Sequence, residues 1–251
     1  MSALIEISNL TRRFGGLVAV DGVSTSVAPG ELVGLIGPNG AGKTTLFNLI
    51  SGFTRPTSGT VRFKGEPIDR LKPHAIAARG LARTFQNLRI FPNMSVFDNV
   101  SVGAVGAIGQ SALQAVFGRG ARRDEITART FAALDRVGLT DRAGELAANL
   151  SYGKRKYLEI ARALAMKPDL LILDEPAAGL DDSETAELAR FIRELNREGL
   201  AIMLVEHDMN LVMSITTRVV VLSSGRKIAD DAPAVVRADP AVLEAYLGVE
   251  A

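Results

Sequence analysis

Apolar residues recur along this chain at two spacings. Leu4-Ile5-Glu6-Ile7-Ser8-Asn9-Leu10 alternates as a half-buried strand does, and Gly15-Gly16 reads as the turn after it. Val18 to Val20 and Val23 to Val27 read as two short strands about Asp21-Gly22, a strong hairpin signal. Glu31 to Ile36 is a short buried strand, and Thr57 to Thr60 leads into another at Val61 to Phe63, turned by Lys64 to Pro67. Leu81 to Phe85 predicts a strand ending on Gln86. Leu170 to Leu173 and Ala201 to Val205 have no polar face, as expected of central parallel strands covered on both sides. Arg218 to Leu222 and Lys227 to Ala229 predict two last strands about Ser224-Gly225.

The second spacing is helical. It appears at Leu46, Phe47, Leu49 and Ile50, from Val96 to Val105, from Ile126 to Val137, from Leu158 to Met166, and in a tail from Val235 to Leu247. Pro73 to Arg79 reads as a short helix with His74 exposed near its start. Asp181 with Glu184 gives an aspartate form of the capping box for a helix running through Leu195. The predicted fold is α/β, with a mainly parallel core sheet and an N-terminal antiparallel β subdomain. Residues 1–87 and 157–251 form the core, and about 88–156 form a helical subdomain interrupted by the glycine-rich Gly103 to Gly120. Arg119, Arg122 and Arg123 cluster there, either as a solvated face or as a contact. There is no internal repeat or low-complexity linker, so 1–251 reads as one domain.

Composition narrows the classes. With 29 Lys and Arg against 28 Asp and Glu, no general excess of charge draws the chain to nucleic acid or acidic lipid. The absence of cysteine excludes disulfides and thiolate metal sites. No apolar run reaches 18 residues, and Met1 to Glu6 lacks the regions of a signal peptide, so any link to a membrane is expected through a partner.

The chemistry concentrates in Gly37-Pro38-Asn39-Gly40-Ala41-Gly42-Lys43-Thr44, followed by Thr45. Strand, glycine loop and helix in that order predict a phosphate cradle of backbone N–H groups at a helix N-terminus. Lys43 is placed to reach the β- and γ-phosphates of a nucleotide, and Thr44 to ligate Mg²⁺. Asp174-Glu175 follows a buried strand, where two carboxylates are costly unless something binds them; Asp174 is assigned to Mg²⁺ and Glu175 to the attacking water. Gln86 ends another strand, either reaching Mg²⁺ or water through its amide or simply solvated. His207 also sits at a strand end, facing the ligand crevice of an open α/β sheet or serving structure. Phe14, in a basic, glycine-flanked turn, either stacks on a purine or packs on the sheet. Ser151 is placed to cap a helix whose free N–H groups make a second anion site.

In order, these pieces are the glycine loop, Gln86, Leu150-Ser151-Tyr152-Gly153, Leu173-Asp174-Glu175-Pro176, Gly179-Leu180-Asp181 and His207. The set resembles the ATP-binding subunit of ABC transporters over nearly the whole chain. The resemblance implies the ABC ATPase fold, with Phe14 stacking on adenine, Gln86 joining the catalytic site to the helical subdomain, Glu175 as catalytic carboxylate and His207 contacting the γ-phosphate. It further implies that Ser151, Gly153 and Asp181 serve ATP held by a second ATP-binding subunit, self or sister, so that the complete site lies at a dimer interface. Tyr152 and Lys154 depart from the commonest signature, which has Gly and Gln there. Arg83-Thr84-Phe85-Gln86, Glu175 to Leu180, Val205 to Met209 and Ala245-Tyr246-Leu247-Gly248 resemble importers of branched-chain amino acids, and urea importers and a lipopolysaccharide-export ATPase share parts of the pattern. The implied partners are two transmembrane permease subunits and, indirectly, a periplasmic binding protein, with no nucleic acid. The implied location is the cytoplasmic face of the inner membrane. A soluble ABC ATPase and a nucleotide-dependent module without turnover are the competing classes.

Overall fold

The computed structural model describes residues 3–107 and 119–247. Two sheets carry the structure. The first is antiparallel, in the order β2 (Leu17–Val27), β1 (Ile5–Phe14), β4 (Ser58–Phe63), β5 (Glu66–Pro67). The second has the order β10 (Arg226–Asp231), β9 (Arg218–Ser223), β3 (Leu32–Ile36), β8 (Ala201–Val205), β7 (Leu170–Asp174), β6 (Leu81–Arg83). Only β10 runs antiparallel to its neighbour; the other five strands are parallel.

Every residue of β3, β7 and β8 is buried, and the strand period of two divides them between two cores. Val33, Leu35, Leu170, Ile172, Met203 and Val205 face the first sheet and helix α1 (Lys43–Ile50). Leu32, Ile36, Leu171, Leu173, Ile202 and Leu204 face a second core with Leu188, Ile192 and Val212 of α6 (Asp182–Arg197) and α7 (Met209–Ile215). At about 1.5–3 kcal/mol for each fully buried aliphatic side chain, these runs are what anchors the sheet. A third core is helical. Val96 and Val100 of α3 (Val96–Ala107), Leu134 of α4 (Arg119–Arg136) and Leu158 and Ala161 of α5 (Tyr152–Leu164) pack together, while Ile160 and Ala163 of α5 turn to the second core. The Thr25 hydroxyl of β2 donating to Asp230 of β10 at 3.0 Å, and the Arg218 guanidinium on the Ser26 carbonyl, tie the two sheets together.

Several expectations change. Asp21-Gly22 is not a hairpin, because β2 runs through it unbroken and the turn back from β1 is at Gly15-Gly16, where Phe14 pairs with Leu17. Between the pairs Leu10–Val23 and Arg12–Val20 the second strand carries one extra residue, and Gly22 takes φ +64° there. This is a bulge of the kind in which a glycine accepts the left-handed conformation. Gly103 and Gly120 lie inside α3 and α4, and the middle of the glycine-rich excursion, 108–118, is outside the described residues. The helix after Ser151 starts at Tyr152, not Leu158, and the predicted tail is two helices, α8 (Pro233–Ala238) and α9 (Pro240–Leu247), because Pro240 cannot continue α8. The short helix α2 (Pro73–Ala77) and β6 are each two residues shorter than their patterns predict.

Candidate nucleotide site

Strand order assembles the site. The parallel neighbours β3, β8, β7 and β6 end side by side, and each is followed by one piece of the predicted chemistry: the glycine loop, Glu206-His207, Asp174-Glu175 and Thr84 to Gln86. Ligands bind at these carboxyl ends in open α/β sheets.

The glycine loop closes tightly over the sheet. Gly42 takes φ +100° and caps α1, and a Cβ there would lie 2.4 Å from the Ala19 carbonyl oxygen, so only glycine fits. No side chain caps α1, which leaves its first N–H groups without a side-chain partner. Lys43 is buried, at 6% exposed, and its ammonium donates to the carbonyls of Gly37 at 2.6 Å and Pro38 at 3.0 Å. Burial holds its pKa below the usual lysine range, opposed by the nearby carboxylates of Glu175 and Asp174. A polyanion entering the loop would meet a cation already desolvated.

A cleft of about 620 Å³ opens above this loop. Its walls include Phe14, Asn39, Gly40, Ala41, Gly42, Lys43, Thr44, Thr45, Gln86, Glu175 and His207. Phe14 ends β1 and is 45% exposed, with the Arg12 guanidinium 4.4 Å from its ring centre. Facing the loop, Glu175 is held at both oxygens: Gln86 Nε2 donates to Oε2 at 2.9 Å, and His207 Nε2 lies 2.7 Å from Oε1. Three strand ends therefore meet on one carboxylate.

Not every predicted residue reaches the cleft. Asp174 lies beneath it, 3% exposed, with Oδ2 paired to Arg83 at 2.8 Å. Arg83 also donates to Asn48 at 2.8 Å and Ser51 at 2.9 Å, among the rings of Phe47, Phe53 and Phe85. In the sequence this arginine counts only as part of a family resemblance and has no partner assigned, although a charge inside the largely apolar stretch Leu81 to Phe85 is a signal that a buried carboxylate is near. Ser151 and Gly153 lie apart, in a depression of about 380 Å³ shared with Lys154, Tyr157 and Glu184. Ser151 caps α5 through the Lys154 N–H at 3.4 Å. Asp181 caps α6 in a reciprocal box: the Glu184 N–H donates to its Oδ1 at 2.8 Å, and its own N–H donates to Glu184 Oε2 at 3.2 Å.

Residues 20–178 match the model of the ABC transporter family, and residues 226–251 match one described as branched-chain amino acid ATP-binding cassette transporter. The chain is 45% identical to the high-affinity branched-chain amino acid transport ATP-binding protein BraF of Pseudomonas aeruginosa, over 98% of each chain. It is 42% identical to the corresponding protein LivG of Escherichia coli, again over 98% of each. Among solved structures, the ADP conformation of an ATP-binding cassette of an ABC transporter superposes with a TM-score of 0.86 at 30% identity, covering 99% of this chain and 100% of that one.

Proposed function

The chain belongs to the ABC transporter family as one of its ATP-binding proteins, and from that footing we propose that it hydrolyses Mg·ATP to power an importer of branched-chain amino acids. The observation that supports turnover is the grip of Gln86 and His207 on Glu175 beside the glycine loop. Glu175 orients or deprotonates the attacking water, His207 contacts the γ-phosphate, and Gln86 joins the site to the helical subdomain. Lys43 and the backbone N–H groups from Asn39 to Thr45 hold the phosphates, and Phe14 stacks on the adenine.

Thr44 and Gln86 on the cleft wall, with Asp174 beneath them through the carboxylate oxygen that Arg83 does not take, are the residues that would hold Mg²⁺. All three offer oxygen, and a single carboxylate shared with substrate phosphates suits this small hard cation. Among the described residues no cluster of three or more His, Asp or Glu side chains could hold a metal alone, in keeping with a site that the nucleotide completes. A metal bound there would supply charge neutralisation for the phosphates.

Ser151, Gly153 and Asp181 serve the ATP of a second ATP-binding subunit, self or sister. Among the described residues no helix is long and apolar enough to cross a membrane, so attachment to the inner face comes through two permease subunits, fed by a periplasmic binding protein. The deciding experiment is phosphate release by the purified chain, then substrate uptake in vesicles holding the permeases. Uptake of leucine, isoleucine or valine that requires intact Glu175 supports the reading. ATP turnover without such uptake overturns the substrate assignment alone.

A further inference from the structure

Lys156 takes no part in the site as described, yet it is placed to control it. It follows Ser151 by five residues on α5, about 7.5 Å along the helix axis. Its side chain turns inward and is only 3% exposed. A buried ammonium is costly unless it is compensated, and the compensation here comes from the strand ends. Nζ donates to the backbone carbonyl of Glu175 at 3.2 Å and lies 5.7 Å from the centre of the Tyr152 ring. The carboxylates of Glu206 and Glu159 are near enough to feel its charge. Glu206 in turn accepts the N–H groups of Ala177 at 2.7 Å and His207 at 3.2 Å.

The contact falls on an unusual peptide. Glu175 has φ +50°, a left-handed conformation costing on the order of 1–2 kcal/mol for a residue with a Cβ. Such a conformation persists only where its surroundings over-determine it. The Glu175 N–H donates to Val205 at 2.9 Å, and its carbonyl accepts from the Ala178 N–H at 3.2 Å and from Lys156. Among the described residues, Lys156 is the one side chain in that set and the one hydrogen-bond link from the backbone of Glu175 to α5. Tyr152, from the first turn of the same helix, packs against the turn that follows: a Cβ on Gly179 would lie 2.9 Å from its ring. The helix that begins at Ser151 is thereby fastened to the strained peptide at Glu175.

We infer that Lys156 is a positioning residue for the known class of reaction, holding the Glu175 peptide so that its carboxylate meets the nucleotide at the productive angle. The inference rests on the reading of Glu175 as the group that activates water.

The test uses the full chain and two substitutions. Lys156→Met keeps the apolar stem and loses the ammonium; Lys156→Arg keeps the charge and a donor. Lys156→Met should lower kcat about tenfold or more, as small misplacements of a reacting group do, while KM for ATP and ADP affinity stay within about twofold. Lys156→Arg should recover most of the loss. Lys156→Met added to Glu175→Gln should be no slower than Glu175→Gln alone, since two residues acting as a unit are not additive. Unchanged kcat in Lys156→Met overturns the proposal, as does full additivity or a loss that appears only in KM. Should Lys156→Met fold poorly, Lys156→Gln, which keeps a neutral donor, gives the same split. Wild-type turnover in Glu175→Gln would instead overturn the Glu175 reading, a result distinct from failure at Lys156.

Discussion

The two proposed anion sites of this chain are built to opposite specifications. The glycine loop sits over fully buried strands, its lysine is desolvated, and its geometry is closed by contacts such as Gly42 against Ala19. The depression at Ser151 lies on the rim of α5, where Ser151 is exposed and its cap contact is long, at 3.4 Å. A site meant to hold its ligand unaided must be organised in advance, at a cost met by the core around it. A site meant to be completed by a neighbour needs only exposed donors at the right place. The difference teaches that nucleotide affinity should belong to the single chain and nucleotide-dependent association to the pair.

The largest effect expected is at the first site. Lys43→Ala should weaken Mg·ATP binding by several kcal/mol, about a hundredfold or more, because a charge-assisted contact in a dry crevice is lost. Calorimetric titration checks it, and unchanged affinity would remove Lys43 from the phosphate site. Glu175→Gln comes next: ATP binding retained, turnover down by on the order of 10²-fold or more. Wild-type phosphate release in that variant would make the carboxylate structural only.

Ser151→Arg separates the two sites. In the Glu175→Gln background, ATP should drive association and ADP should not, since a ligand shifts an equilibrium only by its differential affinity for the two states. Adding Ser151→Arg should abolish that association and leave ATP binding by one subunit within about twofold. Sedimentation with each nucleotide reports it, and equal dimer populations in ATP and ADP would end the composite reading. The smallest effect lies at the far wall of the second depression, which Arg136 lines. Arg136 pairs with Glu198 through two contacts at 2.5 Å and 2.8 Å, both side chains largely exposed. Arg136→Ala should shift unfolding by no more than about 1 kcal/mol, and a larger shift in chemical denaturation would show a structural role for that pair.

What could be read in the sequence was whatever depends on neighbours along the chain. The buried runs Leu170 to Leu173 and Ala201 to Val205, the glycine loop and the Asp181–Glu184 box are local patterns with local causes. The strand ends that carry Gln86, Glu175 and His207 were legible for the same reason, and the parallel register then brings them together. Asp21-Gly22 misled because a bulge and a hairpin turn ask the same thing of a glycine, and only the pairing of Val20 and Val23 with β1 tells them apart. The buried roles of Arg83 and Lys156 could not be read because their partners, Asp174 and the Glu175 carbonyl, lie 91 and 19 residues away. A charge reads as surface until the fold supplies its counterpart.

Helix α5 has one further consequence. Leu158 and Ala161 mesh with the helical core, Ile160 and Ala163 with the core under the sheet, and close-packed interiors yield little when pushed. The helix is in effect a drive shaft with a gear on either side. Torque applied at α3 and α4 has a stiff path to the strand ends, and that path crosses Lys156 on its way to Glu175.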